Sequence, residues 1–167
     1  MRLSTIVTFA LLMMLMPFAS IMAKQAQTPF SLLTAEEARQ LDMNEADWKA
    51  LRIEKYRALP EQGPRIEIKK PTPKLEEGKS IIDMQQPADL LVAFIKNKAD
   101  IDMSSLEIVA SKGIFSVSLT DRLRPYIKQY SLEAKDIKIP EGNYVITISI
   151  ADLQCAVTEN IYRLHAF

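Results

Sequence analysis

The chain has 167 residues, with 21 basic and 21 acidic side chains and one histidine. That balance leaves no basic excess to neutralise a phosphate backbone, which argues against nucleic acid as a partner. A single cysteine, Cys155, excludes an intrachain disulfide framework, so a folded domain here rests on its apolar core.

The first element is "MRLSTIVTFALLMMLMPFASIMA". Arg2 supplies a positive n-region, and an apolar run from Ile6 to Met16 is interrupted only by Thr8. Pro17 then breaks the helix, and small residues follow at Ala19, Ser20 and Ala23. The pattern predicts a secretory signal over residues 1–23, cleaved after Ala23. The rival reading is an uncleaved anchor, the one case in which the chain would hold to a membrane. As a span the stretch is barely long enough, and Pro17 shortens its helical part. Residues 24–167 are therefore expected in the periplasm or outside the cell.

Residues 24–62 read as a helical extension. Thr34 and Glu37 have the spacing of a capping box, and Asn44 with Glu45 and Asp47 marks a second helix start. Trp48, Leu51, Tyr56 and Leu59 fall on one stripe of 3.6-residue period, and Pro60, Gly63 and Pro64 end it. A helix this short needs something to dock on. The stripe either packs on the domain that follows or binds a partner, which makes Trp48, Leu51, Tyr56 and Leu59 the candidate partner-binding residues.

From Gly63 the period changes from 3.6 to 2, so a separable domain is expected over residues 63–167. "PRIEIKKP" alternates, with Ile66 and Ile68 on one face. "PTPKLEEGK" reads as a polar, Pro-rich connector. "ADLLVAFI" is apolar on both faces, as a central strand is. "NKADIDMSS" reads as a turn-rich link before strands over 105–111 and 114–120, joined by a tight turn at Lys112-Gly113. In "TDRLRPYIKQY", Thr120 or Asp121 can cap a helical turn whose Leu123, Tyr126 and Ile127 share one face. Arg122, Arg124 and Lys128 would then point to solvent, with Asp121 pairing Arg124. Strands follow over 132–140, 142–153 and 157–167; in the second, Tyr144, Ile146, Ile148 and Ile150 face one way. About seven short strands with no alternating βα pattern predict a mainly β, antiparallel sandwich behind a short amphipathic helical extension.

"GPRIEIKKP", "VAFIKNKADIDMSSLEI", "VSLTDRLRPYI" and "IPEGNYVITISIAD" resemble secreted proteins of Gram-negative bacteria of uncharacterised function. More broadly they resemble bacterial Ig-like domains, in which a P-x-G-x-y-x-[IV]-x-[IV]-x-[IV]-x-D run forms a late core strand. Pro140, Gly142, Ile146, Ile148, Ile150 and Asp152 match that run. The resemblance covers about residues 63–167 and implies an Ig-like sandwich, with no catalytic residues to carry over. The turn after Asp152 often holds Gly in such domains, whereas "DLQCA" stands here, so a longer or differently shaped final hairpin is expected.

The inventory for chemistry is thin. His165 is the single histidine and lies near the chain end; with Cys155 it makes too few ligands for zinc and a poor nucleophile pair. Cys155 itself is expected to be a small buried hydrophobe, with a bridge between chains as the alternative. Asp100, Asp102, Ser104 and Ser105 could offer oxygens to calcium, but Asp and Ser of such a turn more often cap backbone amides. Gly63, Gly78, Gly113 and Gly142 form no phosphate loop. No catalytic, metal or cofactor residues are assigned. The expectation is a non-enzymatic exported Ig-like module that binds an envelope protein, with a carbohydrate or cell-wall glycan as the alternative partner.

Overall fold

The computed structural model describes residues 30–51, 63–76 and 79–167. The signal segment, Tyr56 and Leu59 lie outside the described residues. In chain order the elements are β1 (Phe30–Ser31), α1 (Ala35–Leu41), α2 (Glu45–Ala50), β2 (Arg65–Lys70), β3 (Lys74–Glu76), β4 (Lys79–Met84), β5 (Ala88–Ile95), β6 (Ile101–Lys112) and β7 (Phe115–Ser118). There follow α3 (Thr120–Leu123), a 3-10 turn (Arg124–Tyr126), β8 (Ile127–Lys128), β9 (Ser131–Lys138), β10 (Gly142–Asp152) and β11 (Val157–Ala166).

The strands make two sheets. One runs β1-β9-β5-β2, with β8 also on β9; the other runs β3-β4-β11-β10-β6-β7. Alternation decides what lies between them: Val92, Phe94, Leu132 and Ile137 from the first sheet meet Leu106, Ile108, Ile146, Ile148 and Leu164 from the second. The chain crosses repeatedly from one sheet to the other. β5 and β9 are neighbours although β6 and β7, between them in sequence, belong to the opposite sheet. The opening strand is itself divided. β2 pairs antiparallel with β5, whereas β4 runs parallel to β11 in the other sheet. Pro71 and Pro73, which lack the N–H a ladder needs, sit at the crossing. Tyr144, fully buried near the start of β10, donates its hydroxyl to the Pro140 carbonyl at 2.8 Å. This is the tyrosine corner of Ig-like sandwiches, and the strand order is theirs too.

Several sequence expectations shift. The structure has eleven strands among the described residues rather than about seven. β4 shows no alternation because it is buried on both faces: Ile82 and Met84 join the main core, while Ile81 lies under Trp48 on the far side of the sheet. β3 forms within the expected connector, as an exposed edge paired only with β4. β6 begins at Ile101, inside the expected turn, because its pairing with β10 resumes beyond a bulge at Ala151↔Asp102. The β6–β7 turn consists of Gly113 and Ile114, with Lys112 already paired to Phe115. Gly113 takes φ +59 there, a conformation that costs a residue without Cβ little.

The N-terminal helices belong to the same packed unit. Both caps form as their residues predict: Thr34 and Glu37 close a capping box, and the Asn44 side chain accepts from the Asp47 amide. Leu32, Leu33, Ala38 and Leu41 then enter the main core of the sandwich. Met43 and Trp48 cover Ile81 and Val145 on the outer face of the second sheet. The core is thus continuous across Gly63.

The turn after β7 also differs from its expected form. Leu119 is the N-cap residue of α3 and makes no side-chain cap bond. The Thr120 hydroxyl instead accepts from the Ile108 amide at 2.9 Å, tying the turn to β6. Leu123 is buried, and Tyr126 and Ile127 pack half-buried against the core. Arg124 is exposed and pairs with Asp121 as expected. Arg122 does not point to solvent. It makes a two-pronged contact with the Glu37 carboxylate, at 2.8 and 2.6 Å, and donates to the Leu32 carbonyl at 2.8 Å.

Candidate functional site

Antiparallel register brings particular loops to each end of the sandwich. Arg65 pairs with Ile95, Ala93 with Ser131, and Asp152 with Ile101, so the connections 96–100, 129–130 and 153–156 share one end with Gly63. The opposite end holds Asn143, Lys112 and Ala166 and is closed by α1. There the Asp42 carboxylate accepts from the Asn143 amide at 2.8 Å, and Lys112 donates to the Asp42 carbonyl at 2.5 Å. Among the described residues, one end is therefore covered by α1, and the other carries the loops 96–100, 129–130 and 153–156.

The loop between β10 and β11 is held from beneath. Asp152 is only 3% exposed, and its Oδ1 accepts from the Gln154 and Ala156 amides, both at 2.9 Å. The Cys155 amide donates to the Asp152 carbonyl at 2.9 Å. Cys155 itself takes φ +63, the left-handed conformation that a glycine fills most readily. The final hairpin thus keeps the Asp of the Ig-like pattern and bends without its Gly. Cys155 is exposed, which corrects the expectation of a buried thiol. The local cause is the turn: a left-handed residue at a loop tip has no inner face to enter.

Large apolar side chains stand out around it. Leu153 is 68% exposed and Val157 53%, while Tyr130 in the neighbouring turn is 45% exposed. Polar contacts link these loops into one surface. The Leu153 amide donates to the Asp100 carbonyl at 2.9 Å, and Lys96 pairs with the Asp100 carboxylate. That carboxylate, and more weakly nearby Tyr130, holds the Lys96 ammonium above its usual range. The Tyr130 carbonyl in turn accepts from the Phe94 amide at 2.9 Å. The start of the domain presses against the same surface. A Cβ on Gly63 would lie 2.6 Å from Thr158 Oγ1 and 2.8 Å from the Ala156 carbonyl, so no larger residue fits without displacement. This surface was not legible beforehand. Exposure of Leu153 and Val157 is a property of the turn, and the sequence presents them only as two more apolar residues near a strand.

The residues singled out in the sequence end up elsewhere. Trp48 is 6% exposed and lies on the outer face of the second sheet, its Nε1 donating to the Tyr144 carbonyl at 3.2 Å. Leu51 packs half-buried beside it. The apolar stripe offered to a partner is, as far as it is described, the face by which α2 docks on its own protein. Buried Arg163 completes that contact. Its guanidinium sits 5.4 Å from the Trp48 ring centre and donates to the carbonyls of Lys49 and Leu51, at the negative end of α2.

His165 is stacked on Phe167, with ring centres 5.4 Å apart, and its Nδ1 lies 2.9 Å from Asn143 Oδ1. Cys155 is at the other end of β11, about 25 Å away at strand rise. The two cannot act together. Asp102 Oδ1 accepts from the Ser104 amide and hydroxyl, and Ser105 Oγ accepts from the Ala151 amide. These oxygens serve the bulge in β6. Among the described residues no three His, Cys, Asp or Glu side chains gather as metal ligands. Between the sheets there is an apolar gap of about 40 Å³ lined by core residues such as Val92, Ile108 and Ile148. Ligand pockets begin at roughly 300 Å³.

No protein-family model matches the chain, and no curated protein matches its sequence. Among solved structures, it is similar to the fibronectin(III)-like modules of Clostridium thermocellum CbhA, with 16% identity and a TM-score of 0.32 over 61% of this chain and 96% of that one. It is similar also to murine CRIg, with 9% identity and a TM-score of 0.35 over 62% of this chain and 98% of that one. Likenesses this distant carry nothing beyond themselves. The Ig-like fold rests on the strand order, the divided opening strand and the tyrosine corner.

Proposed function

We propose that this chain is an exported, non-enzymatic Ig-like module that binds a protein of the periplasm or cell envelope through its open loop end. The observation that carries the reading is that Tyr130, Leu153 and Val157, all exposed, stand on the end opposite α1. Exposed apolar side chains grouped on a rigid scaffold favour a protein partner. A sugar site needs adjacent exposed aromatic rings. Among the described residues, the exposed rings Tyr130 and Phe167 stand at opposite ends, while Tyr144 and Tyr162 are buried. The carbohydrate reading therefore has less support.

The experiment is affinity capture from solubilised envelope, using the processed protein and a Leu153→Lys/Val157→Lys variant. A reproducible protein partner, captured by the first and lost with the second, supports the proposal. Equal capture by both moves the interface elsewhere, and retention on purified cell wall replaces the protein partner with a glycan. Export rests on the n-region, apolar run and small residues of the first 23 positions. Mass spectrometry of envelope protein is expected to find Lys24 at the N-terminus; an intact Met1 in the membrane fraction would mean an anchor instead.

A further inference from the structure

We draw no further inference here: the strongest candidate, the exposed thiol of Cys155 between Leu153 and Val157 on the β10–β11 loop, belongs to the surface already described, and nothing in the structure shows what covers it.

Discussion

Arg122 and Arg124 stand two positions apart in one turn and differ in what faces them. Arg124 pairs at 3.3 Å with Asp121, and both side chains are mostly in water. Arg122 grips a Glu37 carboxylate that also accepts from the Thr34 amide and hydroxyl. Arg124→Ala is therefore expected to change stability by less than about 0.5 kcal/mol, and Arg122→Ala to cost roughly 1–3 kcal/mol. Urea unfolding of the two variants checks the contrast, and equal losses would refute it. The same node sets a pH dependence. The hydrogen bond from Arg122, and next the Thr34 amide, hold the Glu37 carboxyl at about 2 against an ordinary 4.5. A pKa depressed in the folded state contributes stability that is complete above the unfolded value and is lost as pH falls toward the folded one. Because water screens this carboxylate, the wild type should lose on the order of 1 kcal/mol more than Glu37→Gln between about pH 4.5 and 2. Parallel pH profiles would show that the pair contributes little. Asp152 offers a second test at this scale. Its buried carboxylate satisfies two amides of the final loop, so Asp152→Ala leaves both without a partner and should cost about 2–3 kcal/mol in the same assay.

At the scale of elements, the arm formed by β1, α1 and α2 behaves as two attachments. α1 and the residues before it fill the main core, whereas α2 lies on the outside of the second sheet. Leu32, Leu33, Leu41 and Trp48 are all buried, at roughly 1.5–3 kcal/mol each. Their sum is comparable with the whole stability of a typical domain, about 5–15 kcal/mol. A fragment of residues 63–167 is expected to lose most of its cooperative unfolding transition, followed by circular dichroism in urea. A fragment midpoint close to that of the full chain would mean that the arm docks on a core already complete without it. Trp48, the single tryptophan, reports on the same contact: its emission should be that of a buried ring in the isolated protein and shift to the red on unfolding.

The described part of the molecule has two unlike ends, and the proposed interface lies at the one away from α1. The end closed by α1 holds the Glu37–Arg122 and Asp42–Asn143 contacts. The open end holds side chains that already meet water. Leu153→Lys/Val157→Lys should therefore leave the urea midpoint nearly unchanged, within about 0.5 kcal/mol, while abolishing partner capture. A large fall in stability would show that these residues pack on the protein itself and would remove the interface with them.

The sandwich was legible from the residues because each of its long strands reports its own burial. Ile146, Ile148 and Ile150 alternate with the smaller or more polar Thr147, Ser149 and Ala151, and two-residue periodicity is a local property of the chain. The helix caps were legible for the same reason, since Thr34 with Glu37 and Asn44 with Asp47 act within one turn. What the chain does across long separations was not. Alternation says that a face is covered, not by what. So β4, covered on one side by the core and on the other by Trp48, carries no two-residue period. The Arg122–Glu37 contact spans 85 residues and the one from Trp48 to Tyr144 spans 96, and no local pattern encodes either. Only the tertiary structure could decide that Trp48 faces inward and that Cys155 faces out. Burial of a side chain depends on which distant element arrives opposite it, and that is a property of the packed whole.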